Sequence, residues 1–106
     1  MVDEITVYTK QPGCMYRQKT IPNTLEALQA EVGGYIETVT FLGPEKNFIV
    51  ICDEEGRLKG YEPNCTIAGC SFVGPIVVCG QELDEFASFP FSLGLLVTIT
   101  KEAAAV

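Results

Sequence analysis

Five cysteines carry most of the reactive chemistry available to this sequence: Cys14, Cys52, Cys65, Cys70 and Cys79. Their number is odd. The start, Met1-Val2-Asp3-Glu4, is acidic and lacks the basic-then-apolar pattern of a secretory signal. Reduced thiols in a cytoplasmic protein are therefore expected. A four-thiolate zinc site would draw on Cys52, Cys65, Cys70 and Cys79. Their intervening gaps of 12, 4 and 8 residues contain no close pair of the kind that forms a zinc knuckle. Cys52 and Cys79 lie in apolar strand patterns, where cysteine acts as a small buried hydrophobe. Cys65 and Cys70 flank a loop and are expected to be exposed. No metal or organic cofactor is expected. The 106 residues contain no histidine, which removes imidazole acid–base chemistry, Ser–His and Cys–His pairs and His ligands.

Carboxylates are the other reactive groups. Asp53-Glu54-Glu55-Gly56 packs three of them together, but consecutively. A calcium loop needs alternating oxygens over about a dozen residues. Neighbours on a strand or turn point apart, so no catalytic carboxylate pair is expected either. Glu82, Asp84 and Glu85 read in the same way, as a solvated cluster. Gly33-Gly34 and Gly69 lack phosphate-loop spacing. Fourteen acids against seven bases give a net charge of −7. Such a surface repels nucleic acid, so direct DNA or RNA binding is not expected. No apolar run is long enough to cross a bilayer.

The elements that would position these groups follow from local patterns. Ile5 to Thr9 is β-branched and aromatic, and Gln11-Pro12-Gly13 is a turn, so a hairpin with a return strand over Arg17 to Ile21 is expected. Asn23 reads as a helix N-cap, with Glu26 three residues on. Leu25, Leu28 and Val32 form one apolar stripe, and Gly33-Gly34 ends the helix. The stripe is expected to pack on a sheet containing Phe48, Val50 and Cys52. Tyr35 to Leu42 returns to strand composition. Phe48 to Cys52 is an unbroken apolar run, as in a central strand covered on both faces. Arg57 to Tyr61 is expected to pair back across the Asp53–Gly56 turn. Ser71 to Cys79 reads as one strand interrupted at Gly74-Pro75. Gln81 to Phe86 suggests a short helix, Leu93 to Thr100 a last strand, and Lys101 to Val106 a frayed end. The expected architecture is one α+β domain over residues 1–106: a mostly antiparallel sheet of about five to six strands with one main helix on a face.

Two resemblances add to this reading. Ile5-Thr6-Val7-Tyr8-Thr9-Lys10-Gln11-Pro12-Gly13-Cys14 resembles the opening of glutaredoxins, where a thiolate cysteine sits near a helix N-terminus. That likeness implies redox chemistry at Cys14. The chain departs from it by the insertion of Gln11 and by Arg17 at the position of the second redox cysteine. A strand, not a helix, is also expected after Cys14. A wider resemblance runs through Thr24-Leu25-Glu26-Ala27-Leu28-Gln29, Val32-Gly33-Gly34-Tyr35-Ile36-Glu37, Ile49 to Gly56 and Leu58-Lys59-Gly60-Tyr61-Glu62-Pro63-Asn64. It continues through Ile67-Ala68-Gly69 and Phe72-Val73-Gly74. These segments resemble a family of small uncharacterised proteins of phages, plasmids and integrated elements (domain of unknown function 3846). The family has no assigned activity, so the likeness implies a setting and not a mechanism. The stretch from Asn64 to Ile67 is shorter here than in the family, and Phe89 to Leu96 is apolar where the family tends to a polar helix.

Together these features lead to an expectation of a non-catalytic accessory protein. It would bind a host protein or a small ligand, with counter-defence as the natural example. Thiol-redox action through Cys14 is the alternative. The loop Tyr61-Glu62-Pro63-Asn64-Cys65, with Tyr61, Asn64 and Cys65 as its candidate binding residues, is the expected binding surface, because it follows a strand, is stiffened by Pro63 and carries an aromatic, a carboxylate and an amide close together. Asn64 as a mere turn cap is the competing reading. The apolar C-terminal segment is expected to cover the core or to pack on another copy.

Overall fold

The computed structural model describes residues 3–103. In chain order the elements are β1 (Glu4–Lys10), β2 (Arg17–Pro22), α1 (Leu25–Val32), β3 (Ile36–Phe41), β4 (Phe48–Asp53), β5 (Pro63–Ile67), β6 (Cys70–Val73), β7 (Ile76–Glu82), β8 (Glu85–Ala87), α2 (Leu93–Ile99) and β9 (Thr100–Glu102). Strands hold 47% of the described residues and helices 15%, so the expected α+β sheet with one main helix is corrected to a mostly β molecule with two sheets and two short helices.

The larger sheet runs β2-β1-β7-β4-β3 and the smaller runs β6-β5-β9. At Val78 the strand β7 pairs with Tyr8 of β1 on one edge and Val50 of β4 on the other. At Gly80 it pairs with Phe48 of β4 and Ala87 of β8. Thus β1 and β8 share one edge of β7 in succession. The second sheet exists because Gly74 turns the chain with a φ of 70°. Pro75 follows, and the expected single strand divides into β6 and β7 in different sheets.

All six residues of β4 are buried, which fits a central strand. Ile49 and Ile51 face α1, in a cluster with Ile5, Val7, Leu28 and Val32. Phe48, Val50 and Cys52 face the opposite way, toward Ile67 and Phe72 of the small sheet and Leu96 of α2. The molecule is therefore three layers deep: α1, the large sheet, then the small sheet with α2. The expected packing of α1 on Phe48, Val50 and Cys52 is wrong by one residue of register. An all-apolar strand has no polar face to reveal which side meets which partner.

Six other local expectations are corrected. The N-cap of α1 is Thr24, whose hydroxyl accepts from Ala27 N–H at 3.1 Å. Leu25 in the expected stripe is 52% exposed, whereas Leu28 and Val32 are fully buried. Residues 54–60 form successive turns and no return strand. They wrap the buried Asp53 carboxylate. Gln81 to Phe86 is not helical. It forms the β7–β8 hairpin, pairing Gln81 with Phe86 and Glu82 with Glu85. Leu93 to Ile99 is helix α2, not strand, because Ser92 caps it by accepting from Leu95 N–H at 3.1 Å. The expected fray begins too early: Thr100, Lys101 and Glu102 pair with β5 as β9. Residues 104–106 lie outside the described part.

Candidate functional site

The two sheets meet at the end of β1, and a charge is buried there. Lys10 alternates with Ile5 and Val7, so it points away from α1 and toward the small sheet. Its side chain is 1% exposed. An ammonium in such a place is costly unless it is paired and hydrogen-bonded. Lys10 Nζ donates to Asn64 Oδ1 and to Glu102 Oε1, both at 2.8 Å.

Asn64 reaches Lys10 because of a bulge. Pro63 opposes Val73 and Cys65 opposes Phe72, leaving Asn64 with no residue across from it. A bulge re-aims a side chain, and here Asn64 and Cys65 are both buried in succession. The Asn64 amide donates to the carbonyls of Lys10 and Gly74, each at 2.8 Å. Its orientation follows from this network, since the reverse placement would set oxygen against two carbonyl oxygens. Asn64 is thus a clamp between the sheets and not a cap on its own turn.

Tyr16 and Thr100 continue the polar cluster. The Thr100 hydroxyl donates to Leu96 O at 2.6 Å. It has one proton, so Tyr16 must donate to it across their 2.8 Å contact. Burial, outweighing the Thr100 hydrogen bond, pushes the Tyr16 phenol well above its ordinary range. Burial also raises the Cys65 thiol, against the opposing pull of Lys10. A groove of about 170 Å³ opens above these groups. Lys10, Tyr16, Thr100 and Glu102 supply its polar side, and Met15, Leu93 and Val97 its apolar walls. Met15 is 85% exposed and Val97 52%, so the walls stand open to solvent.

The other expected residues fall elsewhere. The Tyr61 hydroxyl donates to Asp53 Oδ2 at 3.1 Å, and Tyr61 does not line the groove above Lys10. Asp53 also accepts from Lys59 at 2.7 Å and from Glu55 N–H at 2.9 Å. The Lys59 hydrogen bond is the main cause holding the Asp53 carboxyl below its usual range, and burial opposes it. A second groove, of about 260 Å³, lies beside this loop and is lined in part by Glu37, Cys52, Arg57 and Cys70. There the Cys52 thiol donates to Glu37 Oε2 at 3.7 Å. Burial first, then the Glu37 carboxylate, push it up to about 11. Cys79 is pushed by burial up to about 12. These two thiols stay protonated near neutral pH and are poor nucleophiles.

Cys65, expected to be exposed, is 2% exposed, whereas Cys70 is exposed. Cys79 lies with the α1 cluster while Cys52 and Cys65 lie across the large sheet. The four thiols therefore do not converge. Among the described residues no group of three or more His, Cys, Asp or Glu is placed to hold a metal. Cys14 is exposed in the β1–β2 turn, with its N–H bonded to Gln11 O at 3.0 Å. The strand β2 follows it, so the helix terminus that activates the glutaredoxin cysteine is not beside it.

A family described as a domain of unknown function (DUF3846) matches residues 5–94. The chain belongs to the DUF3846 family. No curated protein and no solved structure matches it. The DUF3846 match includes Lys10, Tyr16 and Asn64 and ends within α2, before Thr100 and Glu102.

Lys10, Tyr16, Thr100 and Glu102 were not singled out from sequence. Glu102 is 92 residues from Lys10, and no local pattern links them. One signal was present: Lys10 shares a strand face with Tyr8, and both turn toward the second layer. A lysine on the inner face of a strand is a candidate buried charge.

Proposed function

We propose that this DUF3846 member is a non-catalytic binding module that captures a small ligand in the groove between the β1–β2 turn and α2. One observation carries the reading: a saturated polar cluster forms the floor of a groove whose apolar walls remain open to solvent. Binding sites combine apolar walls with a few fixed polar groups in this way. The other ionisable groups support it. Asp53 is committed to Lys59, Glu55 and Tyr61, and the buried thiols are held protonated. The setting we propose is that of an accessory protein of a phage or other mobile element, with counter-defence as the example. Its support is the sequence resemblance to small proteins of such elements. The test is a fragment screen read by amide and methyl NMR. Hits should shift Met15, Tyr16, Leu93 and Val97 together. Hits that cluster instead at the Asp53 loop would overturn the assignment.

A second reading is favoured by a separate observation. No residue from Phe86 to Thr100 is charged, in a chain of net charge −7. Leu93, Leu95 and Val97 on α2 are 40%, 38% and 52% exposed. Two acidic copies repel least across such an uncharged face, so α2 is the place for self-association. Sedimentation should then show a dimer that Leu95→Glu dissociates. A monomer at every concentration tested would remove this reading.

A further inference from the structure

The two partners of Lys10 differ in how firmly they are held. Asn64 is 1% exposed and is locked by two backbone carbonyls. The Glu102 side chain is 58% exposed, and it sits on a strand of three residues. One partner is built into the fold and the other is a surface carboxylate resting on a buried ammonium.

We propose that Glu102 is an exchangeable placeholder, and that the groove takes a small apolar monocarboxylate whose carboxylate replaces that of Glu102 on Lys10. This rests on the ligand-binding reading above and names the ligand's chemical class. Charge selects the head group. Lys10 keeps the Asn64 bond in either state, and a ligand anion preserves the neutrality that Glu102 now supplies. A cation or an uncharged head leaves the ammonium without a counter-charge once Glu102 is displaced. Wall chemistry selects the tail, because Met15, Leu93 and Val97 offer only apolar contact. Volume selects the size. The groove of about 170 Å³ would hold roughly six waters at about 30 Å³ each, which suits a ligand of about six to eight heavy atoms. The acidic net charge weakens capture of any anion from a distance, so the affinity comes from contact with Lys10 and falls little with added salt.

The experiment titrates sodium hexanoate into the full chain, with hexanol as the uncharged control, and follows amide and methyl NMR shifts. Hexanoate should bind at least about tenfold more tightly than hexanol, as expected for one hydrogen-bonded charge pair. The Glu102→Gln variant removes the competing charge and should tighten hexanoate by a similar factor while leaving hexanol unchanged. Lys10→Met should lose the preference for hexanoate. Because Glu102 is largely exposed, Glu102→Gln remains informative even where Lys10→Met does not fold. Equal binding of hexanoate and hexanol in this groove would overturn the carboxylate assignment and leave the groove as a binding site. Hexanoate binding that Glu102→Gln fails to tighten would overturn displacement. No shift at the groove with either compound would overturn the ligand-binding reading along with this one.

Discussion

Asn64→Ala tests the clamp between the two sheets most directly. The side chain makes two amide-to-carbonyl bonds, to Lys10 and Gly74, and accepts a third from the Lys10 ammonium. A neutral bond contributes about 1 kcal/mol net and a bond to a charge about 1.5–3 kcal/mol. The sum is about 4 kcal/mol. Water entering the vacated space lowers it, while the ammonium left behind raises it, so a loss of about 3–5 kcal/mol is expected. In urea this should lower the midpoint by about 2 M without changing the slope. The cycle with Lys10→Met separates the charged bond from the rest. With the ammonium gone, Asn64→Ala should cost only its two neutral bonds, about 2 kcal/mol, leaving a coupling of about 2 kcal/mol. Lys10→Met alone should cost less than Asn64→Ala, because the Glu102 carboxylate it frees is mostly solvated. A loss below about 1 kcal/mol for Asn64→Ala, or additivity within about 0.5 kcal/mol, would refute the reasoning.

Further outcomes follow from other parts of the fold. Leu28→Ala should destabilise by about 2–5 kcal/mol, and Leu25→Ala by less than about 1 kcal/mol, since the first side chain is fully buried and the second half exposed; equal denaturation shifts would contradict this. The Lys59 hydrogen bond holds the Asp53 carboxyl below the usual carboxylate range in the folded state, so its stabilisation is complete above that range and fades as pH falls through it. Stability of the parent protein should therefore drop more steeply than that of Asp53→Asn on acidification from pH about 5 to about 3, and parallel curves would remove Asp53 as the cause. A thiol reagent at neutral pH should modify Cys14 and Cys70 quickly and reach Cys52, Cys65 and Cys79 only on unfolding; mass spectrometry of the early product decides this, and early labelling of Cys79 would contradict the described core.

Local chemistry made part of the fold legible. The β1–β2 hairpin, the Gly33 stop of α1 and the buried run of β4 each announce themselves within a few residues. Gly33 has a φ of 87°, the left-handed turn that glycine adopts most readily. What escaped is non-local. The face of β4 that meets α1 depends on register, and Phe48 to Cys52 is apolar on both sides. Leu93 to Ile99 has strand composition, yet the Ser92 cap and burial of Leu96 make it helical. Of the loop expected to bind, Tyr61 turned to Asp53 while the bulge drew Asn64 and Cys65 inward. The candidate groove stayed hidden because its floor is assembled from residues near both ends of the sequence.

That assembly bears on the order in which the molecule can form. The hairpin of β1 and β2 and the helix α1 draw their backbone hydrogen bonds from residues near in sequence. The small sheet cannot close until residues 100–102 pair with residues 65–67. Until then Lys10 has no Glu102 across a separation of 92 residues, and the apolar faces of β4 and β7 that await α2 lie open. Closure over such distances is slow, and an exposed sheet face is where a partly made chain meets others. The net charge of −7 opposes that encounter, because like-charged incomplete chains repel one another.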